Sequence, residues 1–229
     1  MREVIMMEMP NKGTTFLFQG DSITDGGRGR TDDMNHILGH GYVYLISATL
    51  GEKYAEQEYR FMNKGNSGDR SVDVYARFEE DTLELKPDVV SLMIGTNDVG
   101  EYFFNFSPKC GINAEKYEKI YKIMIEEIRR KLPQSEIVMC EPFVLPVGRV
   151  KENWEEWWPK VNEIQQIVRH LATENNAIFV PLQYEFDQCC TRAKADYWIW
   201  DGIHPTPWGH SVIAKAWLKA VFPNEDWKI

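Results

Sequence analysis

The chain has 229 residues, the size of one α/β domain spanning 1–229, and its 43% hydrophobic and 27% charged content excludes a disordered or fibrous protein. A net charge of -9 argues against nucleic acid or an anionic membrane surface as partner. No apolar stretch approaches the ~20 residues that a membrane span needs.

Acids interrupt residues 1–8 where a secretory segment is apolar. Of the four cysteines, Cys110 and Cys140 stand alone and Cys189 and Cys190 are adjacent, which matches neither a disulfide framework nor the spacing of a zinc site. These features predict a cytoplasmic protein, and no two candidate ligands show the close spacing of a metal centre.

In chain order, the apolar run Phe16-Leu17-Phe18 reads as a first strand buried on both faces, because it does not alternate with polar residues. Gly20 turns the chain and Ser22 follows; residues 21–39, polar and glycine-bearing, read as a long loop. A helix is expected from Tyr42 to about Leu50, closed by Gly51. A second strand over 59–63 leads into the glycine-rich turn 65–68. Ser71 is placed to cap a helix whose apolar face carries Val74, Tyr75, Phe78, Thr82 and Leu85 and which ends before Pro87.

Residues 89–94 form the clearest strand and stop at Gly95. From Tyr117, the positions Ile120, Tyr121, Met124, Ile125, Ile128 and Leu132 trace one helical face that ends at Pro133. Residues 137–140 read as a fourth strand. The proline- and tryptophan-rich stretch 142–159 reads as an irregular excursion at the mouth of the molecule. A helix then carries Val161, Ile164, Ile167, Val168 and Leu171, and 177–180 form the fifth strand. The last helix starts with Thr206 as cap and Pro207 at its first position, and runs to about Val221. Strands alternating with helices predict a five-stranded parallel sheet with helices on both faces.

In an open parallel sheet, ligands bind beyond the carboxyl ends of the strands. Ser22, Gly68 and Asn97 each follow such an end, and Asp201 and His204 lie in the loop before the last helix, so residues remote in sequence converge on one rim. A serine hydroxyl attacks well only when a neighbouring base takes its proton, and an imidazole suits that task near neutrality. His204 is the candidate base, and Asp201, three residues earlier, is the acceptor that would fix its tautomer. Charge that develops on an ester oxygen needs donors already aimed at it; the backbone N–H of Ser22, the N–H of Gly68 and the side-chain amide of Asn97 are the candidates. Losing one such donor typically costs about 3–4 kcal/mol in the transition state. Taken singly, Gly-Asp-Ser is an ordinary turn, Asn97 a helix cap, Gly68 a left-handed turn residue and Asp201 with His204 a loop staple. Their coincidence in chain order is what favours catalysis.

The blocks Gly20-Asp21-Ser22, Ser67-Gly68-Asp69, Gly95-Thr96-Asn97-Asp98 and Asp201-Gly202-Ile203-His204 resemble those of the SGNH hydrolases, also called the GDSL esterase/lipase family, and the resemblance covers almost the whole chain. It implies a three-layer, flavodoxin-like α/β/α sandwich, serine ester hydrolysis and no cofactor. Gly65 shares the glycine block; Gly68 is preferred because Ser67-Gly68-Asp69 is the family pattern. Within the family, Gly20-Asp21-Ser22-Ile23-Thr24-Asp25 with its following Gly-Arg, Asn63-Lys64-Gly65, Met93 to Val99, and Trp200-Asp201 with His204-Pro205 are similar to the intracellular acetylxylan esterases. That similarity implies a homo-oligomer that removes O-acetyl groups from xylo-oligosaccharides.

Trp200, beside Asp201, is placed to bound the acyl pocket. Trp154, Trp157, Trp158, Trp198 and Trp208 either stack on sugars or belong to the core or a subunit interface. A lysophospholipase or thioesterase on the same machinery is the alternative enzyme, and a catalytically silent carbohydrate-binding protein is the alternative without chemistry.

Overall fold

A computed structural model describes residues 7, 10–103 and 110–227; apart from Met7, the reading of residues 1–8 lies outside the described residues. The continuous apolar runs form five strands, β1 (Thr15–Gly20), β2 (Arg60–Asn63), β3 (Val89–Met93), β4 (Glu136–Cys140) and β5 (Ile178–Val180). All neighbours pair in parallel in the order β2-β1-β3-β4-β5, the flavodoxin-like order whose reversal point lies beside β1.

Alternation along β1 separates the layers. Phe16 and Phe18 point to the side covered by α2 (Tyr42–Lys53) and α10 (Pro207–Val221): their rings lie 6.2 and 5.4 Å from that of Trp217, and Phe18 lies 6.0 Å from Tyr42. The Trp217 indole N–H donates to Ser91 Oγ at 3.0 Å, which explains a serine inside an apolar strand. Gln19 points the other way, and its amide donates to Thr82 Oγ1 at 3.0 Å. That second layer holds α3 (Ser71–Ala76), α5 (Ala114–Lys131) and α7 (Trp154–Glu174), with Tyr117 of α5 donating to the Ile94 carbonyl at 2.8 Å. Among the described residues no helix is long and apolar enough to cross a membrane.

Several elements depart from the sequence reading. Residues 21–39 hold a one-turn helix, α1 (Ser22–Asp25). Gly51 lies inside α2, which runs on to Lys53; Tyr54 then packs on Tyr59 and Trp227, contacts that offset the ~1 kcal/mol cost of a helical glycine. Ser71 is the first residue of α3 rather than its cap, and the Asp98 carboxylate receives its N–H instead. The helix expected to reach Leu85 stops at Ala76 and resumes as a wide turn at Glu79–Leu83. The wider spacing buries Leu83 and leaves Leu85 only partly covered and Tyr75 exposed.

A short helix, α4 (Thr96–Gly100), follows β3, and helix replaces part of the excursion expected over 142–159: α6 (Gly148–Lys151) follows β4, and α7 starts at Trp154 with Pro159 inside it. The proline forgoes one helical hydrogen bond, while buried Trp157 stacks on Phe103 at 5.0 Å and Trp154 on Trp158 at 5.5 Å. Two short helices, α8 (Gln183–Cys190) and α9 (Ala195–Trp198), were not legible at all.

The contact between α2 and α10 is expected to weaken as pH falls. Gly41, which precedes α2, has no side chain to cap it, and His210 Nδ1 of α10 accepts the Tyr42 N–H at 3.2 Å. Burial, then the neighbouring His40 and His204, pushes the His210 pKa from 6.5 down to about 4. Between those values the unfolded chain binds a proton that the folded one does not, so stability is lost as pH falls from 6.5 to 4, by about 3 kcal/mol at the lower end. His210→Asn, which keeps an acceptor but does not titrate, should flatten that part of the curve in urea unfolding at pH 4.5 and 7; an unchanged slope would rule out His210 as its source.

Candidate active site

β1 delivers the candidate nucleophile. The strand ends at Gly20, Asp21 caps α1 by accepting the Ile23 N–H at 3.0 Å, and the Gly26 N–H closes the turn on the Ser22 carbonyl at 3.0 Å. Ser22 is therefore the first residue of a one-turn helix, and no acceptor among the described residues takes its N–H. Burial pushes the Asp21 carboxyl up to about 6, with Asp69 adding to the rise, against the pull of the Ile23 N–H and His204.

The loop before α10 brings the partners. It is a narrow hairpin, bridged at Ile199 and Pro205, in which the Trp200 N–H donates to the His204 carbonyl at 3.2 Å. Ser22 Oγ lies 2.8 Å from His204 Nε2, and His204 Nδ1 lies 2.8 Å from Asp201 Oδ2. The other carboxylate oxygen, Oδ1, accepts the N–H groups of Ile203 at 3.0 Å and His204 at 2.7 Å. Burial works to raise the Asp201 pKa, yet the hydrogen bonds from the His204 ring and backbone, the ring's charge and the Ile203 N–H hold it down to about 2. An ionised Asp201 at Nδ1 keeps the proton on that nitrogen and leaves the Nε2 lone pair facing the serine hydroxyl. Arg149, on α6, adds an ion pair to Asp201 Oδ2 at 2.6 Å.

The glycine and asparagine blocks meet beside α1. The Asn97 amide donates to the Asp69 carbonyl at 3.0 Å, which leaves its second N–H for a ligand. Asp25 Oδ2, at the end of α1, accepts the Ser67 N–H at 3.1 Å and so ties the turn that bears Gly68 to the turn that bears Ser22. Gly65 and Gly68 differ in role. Gly65 is buried, its N–H goes to Asn63 Oδ1 at 2.9 Å, and a Cβ there would lie 2.3 Å from the Asp25 nitrogen. Gly68 is exposed at φ +89°, and no acceptor among the described residues takes its N–H.

Sequence reasoning missed most of the support. Asn63 donates to the carbonyls of Thr24, Asp25 and Leu38 at 2.7, 3.2 and 2.9 Å. Arg77 holds Asp69 Oδ2 at 2.7 Å and the Lys64 carbonyl at 2.9 Å beneath the glycine turn. Asp98, pushed up to about 7 by burial against its hydrogen bonds from Ser71, joins α4 to α3. Asn63 and Asp98 lay within blocks already singled out; Arg77 and Arg149 had no local signal.

The tryptophans divide. Trp157 and Trp198 are buried, Trp154 and Trp158 are half-buried, and Trp200 and Trp208 are 59% and 49% exposed. Trp200 lies near-parallel to the His204 ring with centroids 6.2 Å apart, on the open side of the site. Among the described residues no group of three or more His, Cys, Asp or Glu side chains is arranged to hold a metal ion.

Comparison with known proteins identifies the family of the chain. A model of the GDSL-like Lipase/Acylhydrolase family matches residues 18–212. The acetylxylan esterase of Geobacillus stearothermophilus is 32% identical over 212 residues, 91% of this chain and 94% of that one. Its crystal structure superimposes with a TM-score of 0.82, over 93% of this chain and 95% of that chain. A GDSL-like protein from Parabacteroides merdae is 34% identical and superimposes with a TM-score of 0.86, over 96% of this chain and 98% of that chain. The matched span runs from the last residues of β1 into α10 and so contains every candidate site residue: this chain belongs to the GDSL-like lipase/acylhydrolase family.

Proposed function

We propose that the protein is a serine esterase that removes short acyl groups, acetyl above all, from xylo-oligosaccharides or related sugars. The observation that carries this reading is the unbroken chain from Ser22 Oγ through His204 to Asp201, with both contacts at 2.8 Å. As Ser22 Oγ attacks the ester carbonyl, its proton passes to His204 Nε2, and Asp201 stabilises the imidazolium. The carbonyl oxygen gathers charge facing the N–H groups of Ser22, Gly68 and Asn97. Collapse of that intermediate expels the sugar alkoxide, which takes the proton back from His204 and leaves an acyl-serine. Water, deprotonated by the same imidazole, then attacks the acyl carbon; the bond from Ser22 Oγ breaks, acetate leaves, and His204 returns the proton to the serine oxygen.

Trp200, whose exposed ring lies 6.2 Å from that of the base, and the likeness to an acetylxylan esterase favour a short acyl group. Tyr197 and Trp208, half-exposed and stacked at 5.6 Å nearby, offer a flat apolar surface to a sugar ring or to a second copy in a homo-oligomer. The four cysteines, of which Cys140 and Cys189 are buried, suit the cytoplasm. Aryl esters of rising chain length, run beside acetylated xylo-oligosaccharides, test the reading. Acetyl esters should turn over fastest and the oligosaccharides should release acetate. A preference for octanoyl esters would replace the proposal with the lysophospholipase or thioesterase alternative.

A further inference from the structure

The segment between β4 and α7 is bolted onto the loop that carries Asp201. The Leu145 N–H donates to the Gly202 carbonyl at 3.0 Å, and the Arg149 N–H to the Asp201 carbonyl at 3.1 Å. A Cβ on Gly148 would lie 2.5 Å from Asp201 Cα, and one on Gly202 would lie 2.5 Å from the Val147 carbonyl oxygen, so the two backbones are in direct contact. At this junction the Arg149 guanidinium reaches Asp201 Oδ2 at 2.6 Å. That oxygen is the one that accepts His204 Nδ1. Oδ1 is already taken by two backbone N–H groups, so both lone-pair regions of the carboxylate are committed and its plane is fixed.

We propose that Arg149 is a positioning residue that acts on the base through Asp201. By sharing Oδ2 with the imidazole, it holds the carboxylate in plane with the ring and draws part of its negative charge away from Nδ1. The imidazolium formed during attack therefore faces less than a full carboxylate charge. An unshared aspartate would hold the imidazolium more tightly, so the shared one lets the base return its proton to the leaving group more readily. Other charged or titratable groups that act on His204 are Asp21 from the turn before α1 and His210 on α10, itself beside His40. Both are unchanged by a substitution at 149, so a comparison of variants isolates the arginine.

This inference rests on the esterase reading only for its kinetic arm. The imidazole of His204 is titrated by NMR in isotopically labelled wild type, Arg149→Met and Arg149→Lys, and kcat/KM on an aryl acetate is measured across pH for the same proteins. Because the Arg149 side chain is 46% exposed, its field is partly screened. Arg149→Met should move the His204 titration and the acid limb of kcat/KM upward together by about half to one pH unit, roughly three- to tenfold in proton affinity. Arg149→Lys, which keeps the charge without the planar fork, should return both toward wild type. Unmoved titration in Arg149→Met, or a downward shift, overturns the proposal even if activity falls, since a structural clamp alone would lower stability and leave the imidazole's proton affinity in place. Wild type that hydrolyses no ester would sink the esterase reading, while the NMR arm would still decide the role of Arg149.

Discussion

Ser22→Ala is expected to lower kcat on an aryl acetate by roughly 10⁴- to 10⁶-fold while the protein melts at nearly the wild-type temperature. The side chain is small, it sits at the first position of a one-turn helix, and among the described residues its hydroxyl bonds to His204 Nε2 alone. His204→Ala should cost a similar factor, because a hydroxyl without a base and a base without a hydroxyl are equally idle. The double variant should then be no slower than either single one, since residues that work as a unit do not contribute additively. Steady-state kinetics on the three proteins, with far-UV spectra as a check on folding, settle it. Retention of a tenth of wild-type turnover by Ser22→Ala would mean that the nucleophile lies elsewhere. Loss of turnover with sugar affinity intact would dismiss the reading of the chain as a silent carbohydrate-binding protein.

The second large effect belongs to Asp201→Asn, for which a loss of roughly 10⁴-fold is expected. Its mechanism is an inversion of hydrogen-bond polarity. The backbone N–H groups of Ile203 and His204 require an acceptor at Oδ1, so an asparagine would keep its oxygen there and turn its NH₂ toward His204 Nδ1. The ring would then carry its proton on Nε2 and donate to Ser22 instead of accepting from it. The same NH₂ would also face the Arg149 guanidinium, donor against donor. Because the tautomer is wrong at every pH at which the imidazole is neutral, raising the pH should not restore activity; recovery above pH 8 would contradict this account. Asp201→Ala, which leaves the ring free to choose its tautomer, should fall short of the loss in Ser22→Ala.

The sequence revealed those parts of the molecule that are dictated locally. β1 and β3 are covered on both faces, so they appear as unbroken apolar runs, and Thr206 with Pro207 marks the start of α10 because a cap and a fixed φ act on adjacent residues. Ser22, Gly68, Asn97, Asp201 and His204 could be picked out because each follows a strand or precedes a helix within a short, unusual cluster. What stayed hidden depends on distant partners. Pro159 marks a break only until Trp157 finds Phe103. Residues 183–198 mix polar, aromatic and cysteine side chains with no apolar period, so α8 and α9 left no trace. Nothing near Arg149 announces a carboxylate 52 positions along the chain, and nothing near Ser71 tells it that Asp98 will receive its N–H.

Ser22 and His204 are 182 residues apart, and His204 comes immediately ahead of α10. During synthesis the hydroxyl emerges early, in the first strand and turn, yet it has no base until the last helix closes over β1 through Trp217. A nascent chain should therefore be inert toward activated esters until α10 has emerged and packed, and reactivity toward a serine-directed probe would report completion of the sheet and that covering layer rather than the arrival of the nucleophile.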